Sequence, residues 1–403
     1  MSVLVAIAVV ATFALWLTRG WVSIGVPHFD PELEPFSDAY VVLWGPEECA
    51  AGRGEWVGTV CFIPSLAAPA HAQSYEPWLT FHRWGLGSAR HVLVAAIMIA
   101  LFYLAFALTM KPARVGELAY CIAALATPAV QLGVERANFD LLICAMLCVA
   151  ARTMGSTRPA ATAAGTVLLG AATALKLYTG IASVSAWIFC RPRRVSTAAA
   201  ALVATLAAVW IIGPDAIAVL NRGTPEGETR FSTGAHWLFR HRGAAAGAFT
   251  VAITSFIAIL AGIRLAAAPA PRYAAHPYRE MAFYIAFLVA VPLYFLKDSY
   301  DYRLVLLLPG LALPLAWLRE DLDGCWRMLA WTTLALFLVV AGIELPCAML
   351  DRFSAPGGSD AAAVAIAALV YIKQAAAWLL IDAFILTFLF GLRQRLGSSP
   401  GLR

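Results

Sequence analysis

The chain has 403 residues, of which 61% are apolar and 13% charged, with a formal charge of +5. A soluble domain carries about 25% charged residues; a composition this poor in charge, with apolar runs close to bilayer length, excludes a soluble globular protein and predicts a polytopic, all-α membrane protein. The excess of Arg and Lys falls in short loops between apolar segments, so it does not imply nucleic acid.

Apolar segments recur at about 2–18, 91–110, 116–134, 139–151, 161–175, 177–190, 197–213, 246–263, 281–296, 304–318, 328–346 and 362–390, about twelve crossings in a single membrane domain spanning 1–403. The first lacks a basic leader and a good cleavage site and reads as a retained span. The pair on either side of Lys176 is short and reads as two broken helices. Basic residues set the orientation. With the N-terminus inside, the inner loops carry Lys111 and Arg114, Arg152 and Arg158, Arg191 to Arg194, Arg264 to Arg279, Arg319 and Arg327, and Arg393 to Arg403. Both termini are then cytoplasmic. Most acids and six of the seven histidines fall on the outer face.

Two outer loops are long, 19–90 and 214–245, and loops of that length are generally functional or disordered. The first holds Trp21, Trp44, Trp56, Trp78 and Trp84 and is not disordered by composition. Trp78, Phe81 and Trp84 recur at three-residue steps, which suits a short helix lying at headgroup depth. Cys49 and Cys61 share this loop and are placed to form a disulfide if it faces an oxidising compartment. Cys121, Cys144, Cys148, Cys190 and Cys325 lie in or beside apolar runs and read as packing residues.

Five polar clusters interrupt the apolar pattern. Asp38, in Phe36-Ser37-Asp38-Ala39-Tyr40, reads two ways: a carboxylate able to take a proton from an acceptor hydroxyl, or a cap for a helix starting at Ala39. Glu135-Arg136-Ala137-Asn138-Phe139-Asp140 puts four strongly polar side chains at a membrane boundary, where each is costly unless satisfied or useful. Asn138 or Asp140 can cap the following helix, and Arg136 can pair with Glu135 or bind phosphate. Lys176, in Leu175-Lys176-Leu177-Tyr178, stands inside an apolar stretch as a functional intramembrane cation or a snorkelling one. Lys297 to Arg303 is a charged turn in which Tyr302 and Arg303 suit a phosphate or form a salt-bridge knot. The loop 230–242 carries His236 among basic residues and suits an anionic headgroup. There is no phosphate-binding glycine loop, zinc motif or nucleophile elbow, and Asp321-Leu322-Asp323 reads as a solvated inner turn. No metal and no cofactor are expected.

Four of these stretches, in order, resemble the C-type (GT-C) glycosyltransferase superfamily, and within it the bacterial branch of polyprenyl-phosphate-mannose-dependent alpha-mannosyltransferases. They are Phe36 to Tyr40; Tyr75-Glu76-Pro77-Trp78; Arg136-Ala137-Asn138-Phe139-Asp140, with Ala137 where the family pattern has glycine; and Leu169-Gly170 through Lys176-Leu177-Tyr178, without the usual following proline. The resemblance implies a GT-C-like fold in the cytoplasmic membrane of a bacterium, with its active site facing outward. It also implies an inverting transfer of a hexose such as mannose from a polyprenyl-phosphate donor to a lipid or glycan acceptor. Asp38 would be the general base. Arg136, Lys176, Tyr178, His236, Tyr302 and Arg303 would handle the donor phosphate, and Tyr40, Tyr75, Trp78, Asn138 and Asp140 would contact substrate. The alternatives are a transporter or flippase of a lipid-linked sugar, an outer-face glycan polymerase or ligase, and a non-catalytic membrane subunit.

Overall fold

The computed structural model describes residues 36–57, 60–62, 73–74, 80, 82–156, 158–189, 199–210, 232–234, 244–269, 271, 277–296, 299–353 and 360–397. Within these the chain is almost wholly helical. In order, its helices are α1 (Ser37–Ala50), α2 (His91–Met110), α3 (Val115–Leu125), α4 (Pro128–Glu135), α5 (Asp140–Met154), α6 (Pro159–Leu175), α7 (Val184–Phe189), α8 (Ala199–Trp210), α9 (Ala244–Ala267), α10 (Pro277–Leu296), α11 (Ala312–Trp317), α12 (Gly324–Gly342), α13 (Glu344–Phe353) and α14 (Asp360–Gly397). Two 3₁₀ segments, Leu177–Ser183 and Asp301–Leu311, lead into α7 and α11. Three short antiparallel strands, Glu55–Val57, Val60–Phe62 and Gln73–Ser74, form a small sheet after α1, and Ser232–Thr233 pairs with Ser299–Tyr300.

Among the described residues five helical stretches are long and apolar enough to cross a bilayer: Ser88–Met110, Ala245–Ala267, Pro277–Phe295, Gly324–Leu350 and Ala361–Arg395. A sixth is available if α3 and α4, bent by 56° at their junction, count as one. The other described segments expected to cross are shorter helices: α5 has 15 residues and α6 has 17, below the ~20 residues that a straight crossing needs. The expected first span, 2–18, lies outside the described residues. At Lys176 the backbone turns extended (φ −147°, ψ 110°) and a 3₁₀ segment follows, so the apolar run breaks there as its length predicts.

The described residues fall into two compact units, one made of residues up to 108 together with 132–210, the other of 109–131 and 232–397. In the first, α5 and α6 form an antiparallel hairpin. Gly165 lets them touch: a Cβ there would lie 2.5 Å from Met154 Cγ and from Thr153 Oγ1. Helices of 15 and 17 residues rise about 22 and 26 Å, so a tight turn between them returns Lys176, just past the end of α6, to the level of Asp140 at the start of α5. Gly170 likewise approaches Ala204 of α8: a Cβ there would lie 2.9 Å from Ala204 Cβ. In the second unit the core is aromatic. Phe283 stacks on Phe384 at 5.1 Å and Phe287 on Phe388 at 4.2 Å, zipping α10 to α14, while Trp317 and Trp326, both fully buried, pack edge to face.

Candidate active site

The site is built where the C-terminus of α4 meets the N-terminus of α1. Helix α4 ends in a Schellman turn: the Asn138 N–H donates to Gly133 O at 2.9 Å and the Ala137 N–H to Val134 O at 3.0 Å. That turn needs a left-handed residue, and Ala137 supplies it at φ 46°, a conformation that glycine adopts far more easily. Phe36, directly ahead of α1, is left-handed too, at φ 61°. Between these two strained residues the helix ends satisfy each other. The Phe36 N–H donates to Glu135 O at 3.2 Å and the Asp38 N–H to Arg136 O at 3.0 Å, so orphan donors of one helix meet orphan acceptors of the other. The dipoles agree with the charges: Asp38 sits at an N-terminus and Arg136 at a C-terminus.

Asp38 therefore does not cap α1; its N-cap, Phe36, makes no side-chain bond. Its carboxylate instead accepts from Arg136 Nε at 3.0 Å and Nη2 at 2.6 Å on Oδ1, and from Asn138 Nδ2 at 2.6 Å on Oδ2. A carboxylate offers about four acceptor positions, so one is left on Oδ2. The Asp38 side chain is 17% exposed, open on one side. Arg136 thus pairs with Asp38, across the helix junction.

Asn138 links this pair to the next. Its amide nitrogen serves Asp38, and its Oδ1 accepts the Asp140 N–H at 2.8 Å, holding the first turn of α5. Asp140 is fully buried. Its Oδ1 accepts from Lys176 Nζ at 2.6 Å and from the Tyr178 hydroxyl at 2.5 Å. Among the described residues the Lys176 ammonium makes that one hydrogen bond, and its side chain is 23% exposed, so two of its three N–H groups stay available there. Six residues singled out from the sequence, from three separate stretches, thus form one connected network of two carboxylates and two cations. The sequence pattern did not show that each cation already has its own carboxylate.

Tyr40 faces elsewhere: it stacks on Trp44 at 6.3 Å and meets the His91 ring edge-on at 5.4 Å, packing α1 on the entrance to α2. Glu47 fixes the same junction, accepting from the Ser88 N–H at 2.7 Å and its hydroxyl at 2.6 Å. The disulfide Cys49–Cys61 ties the end of α1 to the small sheet. Arg303 belongs to the second unit, where it lines an apolar groove with Tyr294, Leu304, Leu307, Val340 and Leu380; Tyr302 precedes it in the same 3₁₀ segment. His236, Tyr75 and Trp78 lie outside the described residues. Asp323 caps α12 through the Cys325 N–H, as a solvated turn acid would.

One buried cluster has no counterpart in the sequence reading. Lys373, in the middle of α14, donates to Asp301 and, at 2.9 Å, to Glu344, and none of the three is more than 3% exposed. A lysine within the longest apolar helix was the signal available for it.

No family model and no curated protein matches the chain. Among solved structures it aligns with ArnT from Cupriavidus metallidurans in the apo state, at 16% identity and a TM-score of 0.36 over 93% of this chain and 77% of that one. The same protein bound to undecaprenyl phosphate aligns at 16% identity and a TM-score of 0.36, over 96% of this chain and 77% of its own.

Proposed function

We propose that the chain is a membrane-embedded glycosyltransferase that moves a sugar, a hexose such as mannose, from a polyprenyl-phosphate donor to a lipid or glycan acceptor. The reading places it in the cytoplasmic membrane of a bacterium, with the network of Asp38, Arg136, Asn138, Asp140, Lys176 and Tyr178 facing outward. The observation that carries it is Asp38 itself: a partly exposed carboxylate, oriented by two neighbours, with one acceptor position left over.

In this reading the acceptor hydroxyl donates to the free position of Asp38 Oδ2. As its oxygen attacks the anomeric carbon from the face opposite the leaving group, the proton passes to Asp38 and the bond to the lipid phosphate breaks, which inverts the sugar carbon. Arg136 and Asn138 hold the carboxylate in register and stabilise its charged form before the transfer. Lys176 directs its two spare N–H groups at the departing phosphate, where developing negative charge makes a fixed cation worth most. Asp140 and Tyr178 hold that ammonium in place. Tyr302, Arg303 and His236 remain proposed partners of the donor phosphate, and Tyr40, Tyr75 and Trp78 of the substrates. The disulfide supports an oxidising surrounding for the first long loop, in line with an outward-facing site. About twelve crossings remain part of the proposal.

The test is reconstitution of the purified protein with a radiolabelled polyprenyl-phosphate sugar and a panel of acceptors, comparing wild type with Asp38→Asn at matched amounts. A general base contributes about 10²- to 10⁴-fold, and a loss of that size is expected. Full transfer by Asp38→Asn removes Asp38 as the base. A wild type that moves the intact lipid-linked sugar between leaflets without breaking the phosphate bond replaces the reading with transport.

A further inference from the structure

A second polar assembly lies in the other unit and includes none of the residues of the candidate active site. Helix α2 ends at Met110, and Lys111 follows in the left-handed region at φ 42°. This turns the carbonyls of both residues toward Arg279, in the first turn of α10, and Arg319, just past the end of α11. Arg279 Nη2 donates to Met110 O at 2.9 Å and to Lys111 O at 3.3 Å, and Arg319 Nη2 donates to Lys111 O at 2.8 Å. The orphan acceptors of a helix C-terminus are thus met by two guanidiniums.

The charges there do not balance. Arg319 is paired bidentately with Glu117, at 2.7 and 2.6 Å. Among the described residues, Arg279, 2% exposed, has a buried Nη1 with no acceptor and no carboxylate among its hydrogen-bond partners. The Lys111 ammonium, half-buried, rests 5.4 Å from the Tyr278 ring centroid and makes no ion pair among the described residues. Arg114, exposed, makes none either. Among the described residues, then, four cations share one carboxylate. In the neighbouring turn Asp323 caps α12 and Asp321 stands 3.7 Å from Arg327.

The surroundings are those of a lipid boundary. Val115, next to Arg114, is 84% exposed, and Met328 and Trp331 on the first turns of α12 are 65% and 58% exposed. Helix α12 is bound to α3 through the Tyr120 hydroxyl and Leu334 O at 3.2 Å. Apolar side chains that exposed, on segments apolar enough to span, meet acyl chains, and an indole near a helix start suits the headgroup layer. A phosphate carried on acyl chains is the ligand whose charge and apolar body match both halves of this surface.

We propose that this face binds the headgroup phosphate of an anionic phospholipid, held by Lys111, Arg114 and the outer N–H groups of Arg319. Arg279 lies beneath as a fixed positive charge that sets the height of the Lys111 turn. The site is independent of glycosyl transfer and uses none of its residues.

The experiment titrates the full-length protein, in a neutral detergent, with phosphatidylglycerol, phosphatidylcholine or inorganic phosphate, and reads thermal unfolding. Phosphatidylglycerol is expected to raise the unfolding temperature saturably, while the other two leave it unchanged. At about 1 kcal/mol for each cation near an anionic surface, Lys111→Ala with Arg114→Ala is expected to shift half-saturation by about thirtyfold. Among the described residues neither side chain makes an ion pair, and the Lys111 ammonium only rests against the Tyr278 ring, so the variant's unfolding temperature without lipid should stay close to that of wild type. If the double variant does not fold, Arg114→Glu alone is expected to weaken the response at least tenfold, roughly. An equal response of wild type and variant, an equal response to phosphatidylcholine, or an effect of inorganic phosphate matching that of the lipid overturns the proposal.

Discussion

Arg136 and Asp38 are 98 positions apart in the chain, yet two guanidinium N–H groups of one reach a single carboxylate oxygen of the other. The contact is set by backbone, not only by charge, because the N–H of Asp38 also lies on the carbonyl of Arg136. Lysine at 136 keeps the charge but loses the fork that fixes the carboxylate plane. Under the proposed role of Asp38 as base, Arg136→Lys is therefore expected to lower kcat for sugar transfer about 10-fold or more while leaving KM for the acceptor little changed, since a misoriented base slows the chemical step. Steady-state kinetics on the reconstituted enzyme separate the two. An unchanged kcat would mean that Arg136 does not orient the base.

Ala137 stands in the conformation that its Schellman turn requires, at φ 46° and fully buried. A left-handed alanine costs about 1–2 kcal/mol that glycine does not, against an entropy cost for glycine of less than ~1 kcal/mol. Ala137→Gly is expected to leave stability equal or slightly raised, and Ala137→Val to lower it by more than ~2 kcal/mol. Thermal unfolding of the two variants checks the order. Valine more stable than glycine would contradict the left-handed turn.

These two residues also mark what the sequence could and could not convey. The low charge content and the bilayer-length apolar runs pointed to the helical membrane class, and polar residues in apolar surroundings are conspicuous, so Asp38, Arg136, Asn138, Asp140, Lys176 and Tyr178 were all visible one by one. The near-equal lengths of α5 and α6 even bring Asp140 and Lys176 level. Partner choice was not visible: Arg136 has Glu135 beside it in sequence, and only the helix-end bridge from Phe36 to Glu135 turns it to Asp38. The resemblance pattern marked position 137 as unusual, but the reason, a left-handed backbone, is a property of the folded turn. Lys373 was countable as one of four lysines, while its partners Asp301 and Glu344 belong to segments 72 and 29 positions away, a pairing that no local pattern encodes.

That buried triad yields a prediction on stability. Removing Lys373 leaves two carboxylates facing each other in an apolar interior, a situation that costs about 3–5 kcal/mol when a buried charge loses its partner. Lys373→Met is expected to destabilise by that amount, and the triple replacement Lys373→Met, Asp301→Asn and Glu344→Gln to recover most of it. Unfolding of the detergent-solubilised protein by heat or denaturant reads both. A Lys373→Met variant as stable as wild type would show that the acids are held by other means.

Gly165 tests how the two ends of the site are brought together. Its missing side chain is what allows α6 to lie on Met154 and Thr153 of α5. Gly165→Leu forces the helices apart and is expected to cost about 1–3 kcal/mol. Separation near the hairpin turn also swings the far ends, where Lys176 meets Asp140 at 2.6 Å. A 1 Å misplacement of a catalytic group is enough to cost about 100-fold, so if Lys176 handles the donor phosphate as proposed, transfer is expected to fall by more than the loss of folded protein explains. Gly165→Ala, whose methyl still meets Met154, Thr153 Oγ1 and Ala150 O but adds far less bulk than leucine, is expected to lose less stability and less activity than Gly165→Leu. The measurement is specific activity per folded molecule, with folded protein counted by gel filtration. Leucine and alanine variants of equal specific activity would mean that the hairpin spacing does not set the position of Lys176.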